Sequence, residues 1–265
     1  MKPMFIEING IKVNYIDCGA GESPLKTEKP TALVLHGWGC NVSVYSGITE
    51  QISEYCRVIL PELPGFGKTP EPPEVWGVSD YADFVIDFCK ASGLEPSIII
   101  AHSLGCRIAT KILSENRLAP LKVVYTGAAG IKPKRTTAQK VKTALFKTKK
   151  LFLKPFPQQV EKMRQKYGSE DYRTASPVMR ASLVKIVNED LTERLPRIKQ
   201  EVLLIWGEND DSTPLSDGRL MEKLIENAGL AIIKNAGHYA FLEHPALFNR
   251  ILDSFLNSSS GGKND

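Results

Sequence analysis

The chain carries a serine in a context that suits nucleophilic catalysis. Ser103 stands in the segment Ala101-His102-Ser103-Leu104-Gly105, with alanine and glycine flanking it at two residues' distance. A β-branched apolar run precedes this segment and an amphipathic helical pattern follows it. We therefore predict a sharp strand-to-helix turn that holds the serine exposed. A serine hydroxyl is a poor nucleophile until a base takes its proton, so the chain must also supply that base.

A histidine that follows the last predicted strand is the candidate for the base. His238 lies in the loop between that strand and the last predicted helix. His244 directly precedes Pro245, a residue favoured at the start of helices, and we interpret it as a surface or capping residue. His36 and His102 lie beside glycine or serine in tight turns, and we interpret both as structural.

The base needs a carboxylate that fixes its tautomer, and two aspartates follow the predicted strand that ends at Trp206. We choose Asp210 over Asp211, which we interpret as the cap of the next helix; capping is also the alternative role for Asp210. The loop at residues 126–130 contains no carboxylate, which removes the other common location for this group.

Acyl transfer also requires two backbone N–H groups that bind the oxyanion of the tetrahedral intermediate. Leu104, the residue after the predicted nucleophile, supplies one of them. The other is predicted at Trp38, in the turn His36-Gly37-Trp38-Gly39, where the two glycines allow the amides to point inward. The alternative is an ordinary glycine-rich turn at the end of a strand.

These loops must be brought together by a scaffold, and the apolar patterning predicts one. Asn9-Gly10 lies between two alternating segments and predicts an N-terminal antiparallel hairpin. Continuous apolar runs are typical of strands buried on both faces of a parallel sheet; they cover residues 31–35, 57–60, 97–101, 121–125, 202–206 and 230–233. Helical patterns cover 44–54, 79–92, 104–116, 216–228 and 245–256. We predict a doubly wound α/β fold with a mostly parallel, eight-stranded sheet.

One long segment interrupts this alternation. No strand-like run occurs between Gly130 and Arg197, and helical patterns occupy 137–153, 158–167 and 177–188. We predict a helical insertion at 131–196 that covers an α/β core formed by 1–130 and 197–257. The segment 258–265 is rich in serine and glycine, and we predict that it is disordered.

Composition narrows the class of protein. The chain has 265 residues, of which 42% are hydrophobic, and no apolar run is long enough for a signal peptide or a membrane span. Its five cysteines are widely spaced, which indicates reduced thiols in a cytoplasmic protein. With only four histidines, two of them in the motifs above, we expect no metal ion and no other cofactor.

Taken together, the motifs resemble those of the α/β-hydrolase superfamily. The matching segments are His36-Gly37-Trp38-Gly39, Leu63-Pro64-Gly65-Phe66-Gly67, Ala101-His102-Ser103-Leu104-Gly105, Gly207-Glu208-Asn209-Asp210, and Gly237-His238 with Glu243 and Pro245. The resemblance extends from about residue 5 to 256 and excludes the insertion, where the superfamily implies a cap, or lid. Two positions depart from the usual pattern. Glu62 replaces an aspartate that we expect to be structural, and Cys106 replaces a glycine and is expected to pack as a small apolar group.

The resemblance implies a reaction class. Haloalkane dehalogenases and epoxide hydrolases of this superfamily carry aspartate at the nucleophile, so Ser103 argues against both. We expect hydrolysis of a carboxylic ester with a small or medium acyl group, through an acyl-serine. The first two glycine motifs also resemble those of esterases that act on pimeloyl-acyl carrier protein methyl ester. The alternatives are a carbon–carbon bond hydrolase with the same three side chains and a ligand-sensing protein with negligible turnover.

The insertion is strongly basic. Residues 131–166 contain 12 Lys or Arg and one acid, Glu161, so the net charge of this segment is +11. The whole chain has a net charge of +4, which leaves about −7 for the remaining residues. The simplest interpretation is a solvated lysine-rich face. The alternatives are attraction of an anionic or carrier-bound substrate, and reversible contact with an anionic membrane. No motif indicates nucleic-acid binding, and the sequence does not determine the oligomeric state.

Overall fold

The fold is built on one eight-stranded sheet. A computed structural model describes residues 3–18, 29–132 and 169–258, and the strand order within these ranges is β1-β2-β4-β3-β5-β6-β7-β8. β2 pairs antiparallel with β1 and with β4, and all other neighbouring strands are parallel. The strands are β1 (Met4–Ile8), β2 (Ile11–Cys18), β3 (Thr31–Leu35), β4 (Arg57–Pro61), β5 (Ile98–His102), β6 (Lys122–Thr126), β7 (Glu201–Gly207) and β8 (Ala228–Ile233). The predicted fold class is confirmed.

Helices cover both faces of this sheet. They are α1 (Ser46–Ser53), α2 (Val78–Ala91), α3 (Leu104–Ser114), α4 (Glu170–Thr174), α5 (Pro177–Asn188), α6 (Leu215–Leu224), α7 (Ala240–Glu243) and α8 (Pro245–Asn257), with 3-10 helices at Val42–Tyr45 and Thr192–Arg197. The predicted helix at 216–228 is too long, because α6 ends at Leu224. The carbonyl oxygen of Asn227 instead accepts a hydrogen bond from the backbone N–H of Val202 (2.9 Å), and the pairing of β8 with β7 starts there.

The hydrophobic core forms two layers, one on each face of the sheet. Along β3, Leu33 and Leu35 pack into one layer while Ala32 and Val34 pack into the other. Successive side chains of a strand point to opposite faces, so a strand buried on both faces needs a continuous apolar run. This explains why the central strands are recognisable in the sequence.

The strand order reverses direction between β3 and β5. The chain passes from β3 outward to β4 on one side and then returns to β5 on the other side of β3. At such a switch point the two connections leave the sheet on opposite sides and open a crevice beyond the carboxyl ends of the strands. The segments that follow β3 and β5 begin at His36 and Ser103, so this crevice lies at the predicted reactive residues.

Part of the predicted insertion lies within the described residues. The stretch 169–197, which we call the return segment, contains α4, α5 and the second 3-10 helix and no strand. α5 matches the helix predicted at 177–188, whereas the predicted helices at 137–153 and 158–167 lie outside the described residues. The predicted disordered tail also lies outside them, except for Ser258.

Two kinds of feature are absent from the described residues. No described helix is long and apolar enough to cross a membrane. Within the same ranges, no group of three or more His, Cys, Asp or Glu side chains is arranged to hold a metal ion.

Candidate active site

Ser103 occupies a strained turn between β5 and α3. Its backbone has φ 49° and ψ −106°, in the left-handed half of conformational space that residues other than glycine rarely adopt. The turn is tight because α3 begins against β3: a Cβ on Gly105 would lie 2.1 Å from the carbonyl oxygen of Leu35. Only glycine fits there. The backbone N–H of Ser103 donates to the carbonyl oxygen of Thr126 on β6 (3.3 Å). The predicted strand-to-helix turn is therefore confirmed, but Ser103 is half-buried in it and not exposed as predicted.

His238 and Asp210 are joined directly. The distance between His238 Nδ1 and Asp210 Oδ2 is 2.8 Å, and the two side chains are 14% and 0% exposed. A carboxylate oxygen only accepts, so Nδ1 carries the proton and Nε2 is left with a free lone pair. An imidazole in this tautomer is able to take a proton through Nε2.

Asp210 sits in a cradle of donors that the sequence does not reveal. Its Oδ1 accepts the backbone N–H groups of Ser212 (2.9 Å) and Thr213 (2.8 Å), and its Oδ2 accepts the Thr213 hydroxyl (2.9 Å). Burial by itself would raise the pKa of Asp210, but the hydrogen bonds from His238 and Thr213 lower that pKa below its usual value. The carboxylate therefore stays ionised beside the imidazole.

A second carboxylate braces the loop that carries His238. Glu243, on α7, accepts the backbone N–H of Gly237 (2.7 Å) and that of Tyr239 (3.3 Å). The two amides flank His238 in the sequence, so the imidazole is presented by a loop fixed on both sides. Glu243 matches part of the sequence motif, but its bracing role needs the structure.

The residue that precedes Ser103 packs against His238, and no hydrogen bond joins Ser103 to the pair of His238 and Asp210. His102, the residue before Ser103, has its ring centroid 4.8 Å from that of His238, and its Nε2 lies 3.2 Å from the His238 carbonyl oxygen. No hydrogen bond to another described residue involves the Ser103 hydroxyl. Bonds between a nucleophile and its base are often long before substrate binds, so the arrangement is compatible with proton transfer.

The two predicted oxyanion donors belong to segments that adjoin Ser103: Leu104 follows it in the chain, and Trp38 lies in the turn that packs against it. Leu104 is the first residue of α3, where a backbone N–H has no partner within the helix. Trp38 lies in the turn after β3, with its ring edge-on to Phe66 at 4.9 Å. No hydrogen bond to another described residue occupies either amide. The turn after β3 packs closely against Ser103, since a Cβ on Gly37 would lie 3.3 Å from the Ser103 Cβ.

The remaining candidates from the sequence play structural parts or none in this site. His36 is fully buried and bonded at both ring nitrogens, to the Gly37 carbonyl oxygen (2.7 Å) and the Leu63 N–H (2.9 Å). Asp211 is exposed, and α6 begins after Pro214 without a side-chain cap. The capping interpretation of Asp211 is therefore wrong. His244 stands at the start of α8 and is half-buried, and its side chain makes no capping bond.

The two departures from the superfamily pattern are both buried. Glu62 is 2% exposed and accepts the Asn14 side-chain amide (2.8 Å) and the backbone N–H groups of Val42 (3.2 Å) and Lys68 (2.6 Å). It ties three separate parts of the chain together, as a structural residue would. Cys106 is fully buried with its Sγ 3.1 Å from the Ala101 carbonyl oxygen, and burial raises the pKa of its thiol well above the usual value.

A carboxylate from the return segment approaches the turn after β3. Asp171, on α4, lies with Oδ1 3.6 Å from the place where a Cβ on Gly39 would stand. Partial burial, together with the neighbouring Glu170, raises the pKa of Asp171. The Asp171 carboxyl group therefore lies beside the turn that contains Trp38, and no motif in the sequence indicates it.

Several known proteins are similar to this chain. The model of the alpha/beta hydrolase family matches residues 32–251. A 2-hydroxy-6-oxononadienedioate/2-hydroxy-6-oxononatrienedioate hydrolase of Pseudomonas putida is 26% identical over 273 residues, covering 93% of this chain and 92% of that protein. A pimeloyl-[acyl-carrier protein] methyl ester esterase of Aliivibrio fischeri is 26% identical over 243 residues, covering 85% and 93%.

The fold comparison gives the same architecture. The solved structure of an esterase from Exiguobacterium antarcticum superimposes with a TM-score of 0.74 at 21% identity, over 97% of this chain and all of that one. At this identity the likeness shows the fold alone.

Proposed function

The chain belongs to the α/β-hydrolase family, and from that premise we propose that it is a serine hydrolase of carboxylic esters. One observation carries the proposal: a fully buried aspartate bonds Nδ1 of His238, and His238 packs on the residue that precedes a half-buried serine in a strained turn. We expect a substrate with a small or medium acyl group, free or bound to a carrier. No metal ion or other cofactor takes part in this chemistry.

The proposed reaction has two halves. Ser103 Oγ attacks the ester carbonyl carbon while its proton passes to His238 Nε2, and the backbone N–H groups of Trp38 and Leu104 bind the oxyanion. The intermediate collapses to an acyl-serine when His238 returns the proton to the departing alkoxide, which leaves as an alcohol. A water molecule then attacks the acyl-serine by the same route, with His238 as its base, and releases the acid and free Ser103.

Asp210 supplies orientation and charge in this scheme. As His238 becomes an imidazolium, the ionised Asp210 stabilises it across the 2.8 Å bond. The cradle of Ser212 and Thr213 keeps the carboxylate oriented toward Nδ1 throughout. The carboxylate itself does not take up a proton.

The cap is part of the same proposal. We assign residues 131–196 to a lid over the crevice, with the α/β core formed by 1–130 and 197–257. In the described part of the lid, α5 buries Met179, Ser182 and Ile186 against the core. Because the lid forms the outer wall of the crevice, its shape would select the acyl group, whereas the loops of the core perform the chemistry.

The relatives point to esters and to one other reaction class. The Aliivibrio fischeri protein is named as a methyl ester esterase, which supports ester cleavage. The Pseudomonas putida protein is named as a hydrolase of 2-hydroxy-6-oxononadienedioate, so the carbon–carbon hydrolase with the same three side chains is the second candidate. A substrate panel separates the two.

The deciding experiment compares Ser103→Ala with Ser53→Ala, which removes a hydroxyl on α1 far from the crevice. We expect a fluorophosphonate probe to label the wild type and Ser53→Ala but not Ser103→Ala. Turnover of p-nitrophenyl esters should be lost in the same variant. Undiminished ester hydrolysis by Ser103→Ala would contradict the proposal. A burst of product without steady turnover would favour the ligand-sensing alternative, and cleavage of 2-hydroxy-6-oxononadienedioate alone would favour the carbon–carbon hydrolase.

A further inference from the structure

A buried chain of hydrogen bonds connects the turn after β3 to the loop of His238. The Gly37 N–H donates to the Tyr45 hydroxyl (3.0 Å), this hydroxyl lies 3.0 Å from His102 Nδ1, and His102 Nε2 lies 3.2 Å from the His238 carbonyl oxygen. Tyr45 and His102 are each 1% exposed. The chain therefore runs from one side of Ser103 to the other through the residue that directly precedes it.

With a neutral His102, only one arrangement of protons satisfies all three bonds. The His238 carbonyl oxygen only accepts, so His102 Nε2 must carry a proton. A neutral imidazole has a single N–H, which leaves Nδ1 as an acceptor. The Tyr45 hydroxyl must then donate to Nδ1, and its oxygen is free to accept from the Gly37 N–H. Every donor faces an acceptor.

This arrangement requires a neutral His102, and the surroundings favour that form. Burial, with a smaller contribution from His238, lowers the pKa of His102 to about 3. At neutral pH the imidazole therefore has one N–H and one lone pair, as the chain of bonds demands.

Close packing leaves the two side chains little room to move. A Cβ on Gly37 would lie 2.7 Å from His102 Nδ1, so the turn after β3 rests directly on the imidazole. The Tyr45 ring stacks on Phe241, with centroids 5.2 Å apart, and Phe241 belongs to α7, the helix that braces the His238 loop. Movement of either loop would disturb the other.

We propose that Tyr45 and His102 are positioning residues that hold the Trp38 amide and the His238 imidazole in register around Ser103. The inference rests on the proposed function and goes beyond it, since neither residue touches the reacting atoms. Both segments must be placed correctly at once, because the oxyanion donors and the base act on the same tetrahedral intermediate.

Three substitutions test the hydrogen bonds of this chain separately. Tyr45→Phe removes the central hydroxyl and keeps the ring on Phe241. In His102→Asn the amide oxygen replaces Nδ1 and keeps the bond to Tyr45, whereas in His102→Gln the amide nitrogen replaces Nε2 and keeps the bond to the His238 carbonyl. We expect each to lower kcat roughly 10- to 100-fold and to change KM by less than about twofold.

The double variant Tyr45→Phe/His102→Gln tests whether the two side chains act in series. If they do, the double variant should lose about as much kcat as the worse single variant, because one broken link already separates the two loops. Losses in kcat that multiply would show two independent structural effects and would overturn the proposal. Tyr125→Phe is the matched control: its hydroxyl is also buried, bonds Thr110 (3.1 Å) and lies outside the chain, so its kcat should not change.

A measurement on the resting protein keeps this inference separate from the proposed function. In 15N NMR of histidine-labelled protein, His102 should show the neutral Nε2–H tautomer from pH 8 down to about pH 5, with His102→Gln identifying its signal. An Nδ1–H tautomer in that range would refute the chain of bonds, and a protonated ring would refute the arrangement of its protons, even if the protein hydrolyses esters. If the wild type fails to bind the fluorophosphonate while the tautomer is as expected, the proposed function fails and the hydrogen-bonded link between the loops stands.

Discussion

Two regions are fastened to the sheet in different ways. One is the corner, by which we mean the turns and loops that carry His36, His102, Ser103, Asp210 and His238; the other is the return segment at 169–197. At the corner, buried side chains have several partners each: Asp210 alone accepts from His238, Ser212 and Thr213. In the return segment, α4 buries no residue, and α5 is held by the buried Met179 and Ile186, by a bond from the Trp76 N–H to Ser182 Oγ (2.9 Å) and by an ion pair of Lys185 with Asp80 (3.0 Å).

The difference indicates a division of labour. A site that stabilises charge in a transition state needs donors fixed before the reaction, which a dense buried network provides. A wall that selects substrates needs shape and charge, which helices with fewer buried polar contacts provide equally well. We therefore expect changes at the corner to act on kcat and changes in the return segment to act on KM and substrate preference.

The largest effect should follow from Asp210→Asn. The backbone N–H groups of Ser212 and Thr213 require an acceptor, so the asparagine must turn its oxygen toward them and its NH2 toward His238. His238 Nδ1 then has to accept, the proton moves to Nε2, and the base loses its lone pair. We expect kcat to fall about 10⁴-fold with folding retained. Steady-state kinetics beside Asp211→Asn, an exposed neighbour, checks this; a loss below tenfold would contradict the role of Asp210.

Acid should weaken the corner before the return segment. Burial lowers the pKa of His36 to about 4 and that of His102 to about 3. Between the unfolded pKa near 6.5 and these values, the unfolded chain binds more protons, so stability falls as pH falls, by roughly 1.4 kcal/mol per pH unit for each histidine. Urea unfolding at several pH values should show that His102→Gln reduces this slope by about one histidine's share. An unchanged slope would mean that His102 is protonated in the folded protein.

Met179→Ala should loosen the return segment while sparing the chemistry. The Met179 side chain is 3% exposed and packs so closely on Gly65 that a Cβ there would lie 2.2 Å from its methyl carbon. Its truncation leaves a cavity, and we expect a loss of about 2 kcal/mol in stability. KM should rise several-fold and kcat should stay within about twofold. Val184→Ala, at an exposed position of the same helix, is the control; a kcat loss equal to that at the corner would abolish the proposed division.

The smallest effect is expected for Asp171→Asn. Its carboxylate borders the turn of Trp38, so it should repel a substrate whose acyl chain ends in a charged carboxylate. Removing the charge should raise kcat/KM for such an ester by about two- to fivefold at low salt and leave a neutral ester unchanged. The gain should disappear at about 0.5 M salt. Equal gains for both esters would show an effect of shape; Glu193→Gln, an exposed acid elsewhere in the return segment, serves as the comparison.

Much of the scaffold could be predicted from the sequence, because it rests on local patterns. Strands buried on both faces need continuous apolar runs, so β3 was predicted at its full extent and β5 and β6 within one residue. β8 was predicted to start at Leu230, but it starts at Ala228. Ala228 and Gly229 have little intrinsic preference for strands, and their pairing with Val202 and Leu203 of β7 determines the boundary.

The site divides in the same way. Ser103, Asp210 and His238 follow strands in recognisable motifs, and their types alone suggest their chemistry. Tyr45 and Asp171 have no such signal, because each lies against residues distant in the sequence; Tyr45 and His102 are 57 positions apart. Which distant residues come into contact depends on which strand ends lie side by side in the sheet, and a single sequence does not show this.

The left-handed backbone of Ser103 has a consequence for the stability of the folded chain. Holding a residue other than glycine at φ 49° costs of order 1 kcal/mol or more, and glycine would relieve that penalty with no change of fold. Folding stability by itself would therefore favour glycine at this position. Ser103 therefore lowers the stability of the folded chain, and its hydroxymethyl group is what glycine at this position would not supply.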